Sequence, residues 1–196
     1  MTVACGPEEG PQQAADSPSD TSAAAPAPMN EVIAGEDADR LWFLPASEDS
    51  LGSGGEFLIY LDAETHPRAR AAFARFDLGP GGALPAHRHD ETEEISYFLA
   101  GEGVVVVFED GERREVPVRA GHVWYVPPGA WHGLRNTGDV PLELVFATVP
   151  NEKRGLLSFF RRIGVEPGGA PEPVPPEEFA RIAAEHDLIL KQATEP

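Results

Sequence analysis

Residues 81–101 read GGALPAHRHDETEEISYFLAG, and the framework Gly81-x5-His87-x-His89-x4-Glu94-x6-Gly101 inside that stretch decides the fold. His87 and His89 are two apart, so on an extended backbone both rings point to the same face. Glu94 opens the apolar segment Glu94 to Ala100, which reads as a strand entering a core. Parity from Glu94 places Ser96 and Phe98 inside as well. Gly81-Gly82 and Gly101 suit tight turns at strand ends, where backbone with positive φ is needed.

A second framework follows in residues 121–136, GHVWYVPPGAWHGLRN: Gly121-x5-Pro127-x-Gly129-x2-His132-x3-Asn136. Pro127-Pro128-Gly129 is a strong turn signal that stops one strand and aims the next. His132 joins the first motif only if the chain folds back across it, and parity from His132 places Leu134 inside. Neutral imidazoles with one carboxylate are a mixed N/O donor set suited to a divalent first-row metal. Each piece alone has a plainer reading: a His-x-His in a loop, a solvated acidic rim from Asp90 to Glu94, a core histidine beside Trp131. Both spacings together favour a mononuclear metal site. His66, His122 and His186 are expected at the surface.

Around these motifs lie short apolar runs bounded by turn residues: Leu41–Leu44, Glu56–Leu61, Ala71–Leu78, Glu94–Leu99, Gly103–Phe108, Arg113–Val118, Val123–Val126, His132–Arg135 and Leu142–Val149. In the third run, Ala72, Ala74 and Phe76 share one face, with Phe73 and Arg75 on the other. Glu109-Asp110-Gly111-Glu112 is a good hairpin turn. Many short strands at regular spacing predict an all-β sandwich or barrel. After Pro150 the period changes. Asn151 is placed to cap a helix carrying Leu156, Phe159, Phe160 and Ile163. A Pro/Gly-rich connector, Glu166 to Pro176, leads to a second helix around Glu177 to Asp187, with Phe179, Ile182, Ala183 and His186 as its inner stripe.

The two frameworks resemble the two motifs of the cupin superfamily over about Gly81 to Asn136. The resemblance implies a double-stranded β-helix, a jelly-roll barrel with ligands lining its interior, followed here by short C-terminal helices. It also implies His87, His89, Glu94 and His132 as the metal ligands. Glu93 is the one ambiguity, and the interval to Gly101 favours Glu94. His122 departs from the acidic residue common in the family at that turn. A looser likeness, over roughly residues 55 to 190, is to single-domain cupins of the quercetin-dioxygenase-like group. The expected organisation is a disordered acidic tail over residues 1–30, a barrel over 31–150 and a helical extension over 151–196.

A chain of 196 residues has room for a substantial core. Its formal charge of −18, from 15 basic against 33 acidic residues, argues against nucleic acid or an anionic membrane as partner. No stretch approaches the roughly 18 apolar residues of a membrane span. The tail is rich in Ala, Pro, Ser, Asp and Glu, with no Lys or Arg before Arg40. Its single cysteine, Cys5, in Thr2-Val3-Ala4-Cys5-Gly6, resembles the lipidated residue of a bacterial lipoprotein, without the apolar region that should precede it. A cytoplasmic location is therefore expected, with an extracytoplasmic lipoprotein anchored through Cys5 as the alternative.

The resemblance and the donor set together imply a metal-dependent dioxygenase or related oxidoreductase on a small phenolic, enol or diketone-like substrate. The cofactor is one divalent transition metal ion, for which Fe, Mn, Ni, Cu and Zn all accept the donors. Glu94 is the candidate catalytic base. Some of Tyr97, Phe98, Trp124, Tyr125 and Trp131 should line an aromatic-tolerant pocket. The alternative is a non-oxidative small-molecule binder, sensor or isomerase whose metal positions substrate. A homodimer formed through sheet edges is the expected assembly.

Overall fold

The alternating burial of β-branched and aromatic residues along the chain builds two facing antiparallel sheets. The computed structural model describes Met1, residues 30–169 and residues 173–191. The expected acidic tail, with Cys5, falls outside the described residues except at its ends. The described residues from Ile33 onward form one compact unit.

The first sheet is built from β1 (Asp39–Phe43), β2 (Gly55–Leu61), β3 (Ala72–Leu78), β5 (Glu93–Ala100), β8 (Val123–Val126) and β10 (Leu142–Val149). Its spatial order is β1-β2-β3-β10-β5-β8. The second sheet contains β4 (Ala83–Arg88), β6 (Glu102–Glu109), β7 (Glu112–Arg119), β9 (His132–Asn136) and β11 (Ile189–Leu190), in the order β11-β4-β9-β6-β7. Consecutive strands alternate between sheets from β3 to β6 and again from β7 to β10, which is how a double-stranded β-helix winds.

The expected face of β3 is observed: Ala72, Ala74 and Phe76 are buried while Phe73 is exposed. Phe76 stacks on Phe57 with ring centroids 4.2 Å apart. Phe57 stacks in turn on Phe160 at 4.0 Å. Such ring pairs add about 1 kcal/mol each beyond the area they bury. They also join the helical region to the barrel, because Phe160 lies on α1 (Leu156–Ile163). The β6–β7 turn has φ of 51° at Asp110 and 82° at Gly111, the left-handed pair of a tight hairpin. At Gly101 φ is 76°, and a Cβ there would sit 2.4 Å from the Pro141 carbonyl oxygen. Only glycine fits that turn.

Three expectations about the helical region need correction. Asn151 does not cap α1; the cap position is Gly155. The Asn151 amide instead donates to the carbonyls of His66 and Ala69, both at 3.1 Å, which fastens the 66–69 loop. The second helix, α2, runs Pro176–Glu185 rather than to Asp187, so His186 is its C-cap. His186 is half-buried rather than at the surface, with Nδ1 2.7 Å from the Ser158 hydroxyl. Ile182 and Ala183 of the expected stripe are buried in the common core.

Candidate metal centre

Strand β4 brings in His87 near its end, His89 follows it, and β9 begins with His132. Because β4 and β9 pair with His87 opposite His132, the two motifs meet across one ladder. The turn of the second motif also holds the first directly: the Gly129 N–H donates to the His89 carbonyl at 2.6 Å. Asn136, 1% exposed, closes the far end of β9, donating to the Leu78 and Val140 carbonyls, each at 2.8 Å. The framework residues of the second motif are thus fasteners for the ligand strands.

One nitrogen from each of His87, His89 and His132 lies within 4.8 Å of the others, and all three residues are buried. Each ring's Nδ1 faces a main-chain carbonyl: Pro85 at 2.8 Å for His87, Asp187 at 2.6 Å for His89 and Ala130 at 2.9 Å for His132. A carbonyl only accepts, so Nδ1 carries the proton and Nε2 presents its lone pair inward. The Nε2 atoms of His89 and His132 are buried without a hydrogen-bond partner among the described residues. Burial, reinforced by the neighbouring rings of His132 and His89, holds the His87 pKa well below its ordinary value. Burial likewise lowers that of His132, to about 4, against the opposing pull of the Ala130 carbonyl. The three imidazoles are pre-oriented, and the donor set fits a divalent transition metal.

Glu94 is buried on the opposite sheet, and Ser96 and Phe98 follow it inward as parity predicts. Its carboxylate lies outside the three-histidine cluster. Ser96 donates its hydroxyl to Glu94 Oε1 at 2.8 Å. Burial pushes the Glu94 carboxyl up, while the nearby His89 and the Ser96 hydroxyl pull it down; the net shift is upward. Glu93 faces outward and accepts from the Tyr125 hydroxyl at 3.2 Å.

Of the five aromatics expected near the site, Trp124 lines the cavity beside the histidines, edge-on to His132 with centroids 5.4 Å apart. Phe98 is fully buried in the core instead. Tyr97 and Tyr125 are exposed on the outer face, one residue out of phase with the inward positions. Trp131 lies under the side chains of Arg88 and Lys191. The cavity, about 50 Å³, is lined by His87, Glu94, Trp124 and His132 at one end. Phe43, Phe57, Phe76 and Phe146 of the barrel, with Leu156, Phe159, Phe160, Phe179, Leu188 and Leu190 of the C-terminal region, make its wall. The C-terminal region walls the site, and sequence reasoning missed that Asp187 holds His89. The inner stripe of α2 was the available signal for the wall; a main-chain carbonyl leaves none.

The fold and site define a double-stranded β-helix with a three-histidine metal-binding centre. The chain belongs to the cupin superfamily: the cupin-domain profile matches residues 74–148. It is 41% identical over 80 residues to the oxalate-binding protein of Thermotoga maritima, covering 41% of this chain and 62% of that protein. It is 37% identical over 80 residues to a 3-hydroxyanthranilate 3,4-dioxygenase of Xanthomonas euvesicatoria, covering 40% of this chain and 46% of that one. The crystal structure of a predicted oxalate decarboxylase from Thermotoga maritima superposes with a TM-score of 0.50 at 28% identity, over 61% of this chain and 99% of that chain. The chain spans less than two thirds of the length of these two curated relatives. No helix among the described residues is long and apolar enough to cross a membrane.

Proposed function

We propose that the chain is a metal-dependent dioxygenase or related oxidoreductase acting on a small, largely apolar substrate with an acidic oxygen: a phenol, an enol or a 1,3-diketone. The observation that carries this reading is the cavity wall, which includes many Phe and Leu residues and, among the described residues, neither Lys nor Arg. Apart from the metal, a small dianion such as oxalate would meet no basic side chain in that wall to offset its lost hydration, whereas the apolar body of a phenol or enol is buried there at a gain. The names of the relatives divide between oxalate and a hydroxylated aromatic, and the wall favours the aromatic. At about 50 Å³ the cavity is far below the roughly 300 Å³ of an ordinary ligand site. A ring-sized substrate therefore enters only when part of the wall moves outward.

His87, His89 and His132 hold the metal in this reading, with Glu94 as fourth donor and as proton acceptor. Fe, Mn, Ni, Cu and Zn all suit the set. When bound, the metal supplies Lewis-acid polarisation of the substrate oxygen. Glu94 takes the hydroxyl proton; its upward-shifted carboxyl makes it a stronger base once ionised. Ser96 steadies the carboxylate, and the phenylalanine wall orients the substrate body and excludes water.

Oxygen uptake by metal-loaded protein, measured with flavonols, catechols, 1,3-diketones and oxalate, tests the reading. Uptake with an aromatic or diketone and none with oxalate is expected; turnover of oxalate alone contradicts it. Flavonol turnover would carry the finer, quercetin-dioxygenase-like assignment. The 41% identity to an oxalate-binding protein favours, as second reading, a non-oxidative binder, sensor or isomerase. Glu94→Gln separates the two, since an enzyme loses turnover and a passive binder keeps its ligand.

Two companion proposals concern the surroundings. The outer face of β5 and β8 exposes Ile95, Tyr97, Leu99, Val123 and Tyr125, with β8 at the sheet edge, and a second copy of the chain covers this face in a homodimer. Light scattering should give twice the chain mass for the wild type and the monomer mass for Tyr125→Glu. The location is cytoplasmic; fractionation of cells carrying the native upstream DNA separates this from a form anchored through Cys5.

A further inference from the structure

The three ligand histidines are held differently. His87 and His132 each rest on a carbonyl two residues away, so their hydrogen bonds form wherever the local strand forms. His89 rests on the Asp187 carbonyl, 98 positions along the chain. Its orientation depends on a segment from outside both motifs.

That segment makes further contacts with the site. Asp187 Oδ1 accepts the Asp90 N–H at 2.8 Å, and Oδ2 accepts the Thr92 hydroxyl at 2.8 Å and the Glu91 N–H at 3.2 Å. One carboxylate therefore fixes the loop between His89 and Glu94. Beyond it, Ile189 pairs with Arg88 and Leu190 with His87, and the Lys191 N–H donates to the Ala86 carbonyl at 2.8 Å. Asp187 itself has φ of 56°, a left-handed turn just past the end of α2 that Asp tolerates and that swings the chain back towards β4. The strap's ladder is two residues long, too short to be stable alone.

We propose that seating of this strap, residues 187–191, and metal occupancy are one coupled equilibrium, with Asp187 as the positioning residue that orients His89. The strap fixes the proton of His89 on Nδ1 and leaves Nε2 free for the metal; a metal on Nε2 in turn stabilises the seated strap, because linkage is reciprocal. Partners that orient a ligand histidine in this way typically change metal affinity by about 10- to 100-fold. Leu188 and Leu190 also line the cavity, so release of the strap would open the wall that a substrate must pass. The inference rests on the metal-centre reading above, and the experiment separates the two.

Co2+ alone is the probe, added to the full metal-free chain. Co2+ affinity is compared among wild type, Asp187→Gly, which tolerates the left-handed backbone and removes the carboxylate, and Arg181→Ala. Arg181 forms exposed pairs within α2 with Glu178 and Glu185 and serves as the control. Amide exchange of Ile189, Leu190 and Lys191 is measured on the wild type with and without Co2+, which decides the matter even where Asp187→Gly does not fold. The coupling predicts at least tenfold weaker Co2+ binding in Asp187→Gly, no change in Arg181→Ala, and slower strap exchange in wild type with Co2+. Equal affinity in Asp187→Gly, or strap exchange indifferent to bound Co2+, overturns the coupling and leaves the metal centre standing. A wild-type chain that binds no Co2+ overturns the metal centre, and the coupling with it.

Discussion

Ser96 donates its hydroxyl to Glu94 Oε1 at 2.8 Å, and both side chains are buried on the inner face of β5. The bond favours the ionised carboxylate, so it opposes the upward push of burial. Removing it in Ser96→Ala raises the Glu94 pKa further. Where Glu94 acts as base, the acidic limb of the kcat profile moves to higher pH. An unmoved limb, with turnover retained, would remove Glu94 from the role of base.

Glu94→Gln removes the base while leaving the three imidazoles in place. Turnover should fall by about 100-fold or more, the usual worth of a positioned base. Metal content should persist. Full activity in this variant would remove Glu94 from the role of base.

The edge-on contact of Trp124 with His132 gives an optical signal. An open-shell ion such as Co2+ bound at His132 should quench indole emission in the wild type, and Trp124→Phe should lose most of that response. Undiminished quenching in Trp124→Phe would place the ion elsewhere.

Metal-free protein should lose stability as pH falls from 6.5 to about 4. The folded His132 has its pKa lowered to about 4 from 6.5, so within that window the unfolded chain binds more protons than the folded one. His87 acts in the same direction. Their contribution is complete above 6.5 and is withdrawn by up to ~1.4 kcal/mol per pH unit for each histidine. Glu94, shifted upward, acts with the opposite sign, so the informative quantity is the difference in slope between wild type and His132→Gln. Urea midpoints in EDTA at pH 5 and pH 7.5 supply it; identical slopes would contradict the burial account.

Arg161 of α1 reaches back to Asp62 at 2.5 Å and Asp39 at 2.6 Å. Burial alone would raise the Asp62 carboxyl, but hydrogen bonds from Arg161 and Thr65 hold it below its ordinary value. The pair's contribution is present above the unfolded value of 3.8 and is lost as pH falls through the lower folded value. Arg161→Ala leaves the Asp62 carboxylate, 5% exposed, without its counter-ion and with only the hydrogen bonds of Glu64 and Thr65, and should cost roughly 2 kcal/mol in a denaturant titration. A loss below 0.5 kcal/mol, the scale of a surface pair, would refute that.

The site was legible where side-chain type and parity carry the information. Period two from Glu94 identified Ser96 and Phe98 as inward, and the same parity would have turned Tyr97 outward. The β6–β7 turn and the face of β3 followed from local chemistry in the same way. The strand β4 under His87 was harder to see, because Leu84-Pro85-Ala86 lacks the β-branched residues that announce a strand. The strap was invisible for a deeper reason. Two residues of ladder have no period, and the group that holds His89 is a carbonyl common to every residue. Asn151 misled because an Asn before an apolar run reads as a cap, whereas its amide is used on loop carbonyls.

Metal stoichiometry of the purified chain, wild type against His87→Ala and His132→Ala, tests the central claim most directly. One divalent ion per wild-type chain, lost in both variants while their fold persists by circular dichroism, is the predicted result. A wild-type chain that neither holds nor takes up metal, or variants that retain it in full, would contradict the three-histidine centre on which the proposed chemistry stands.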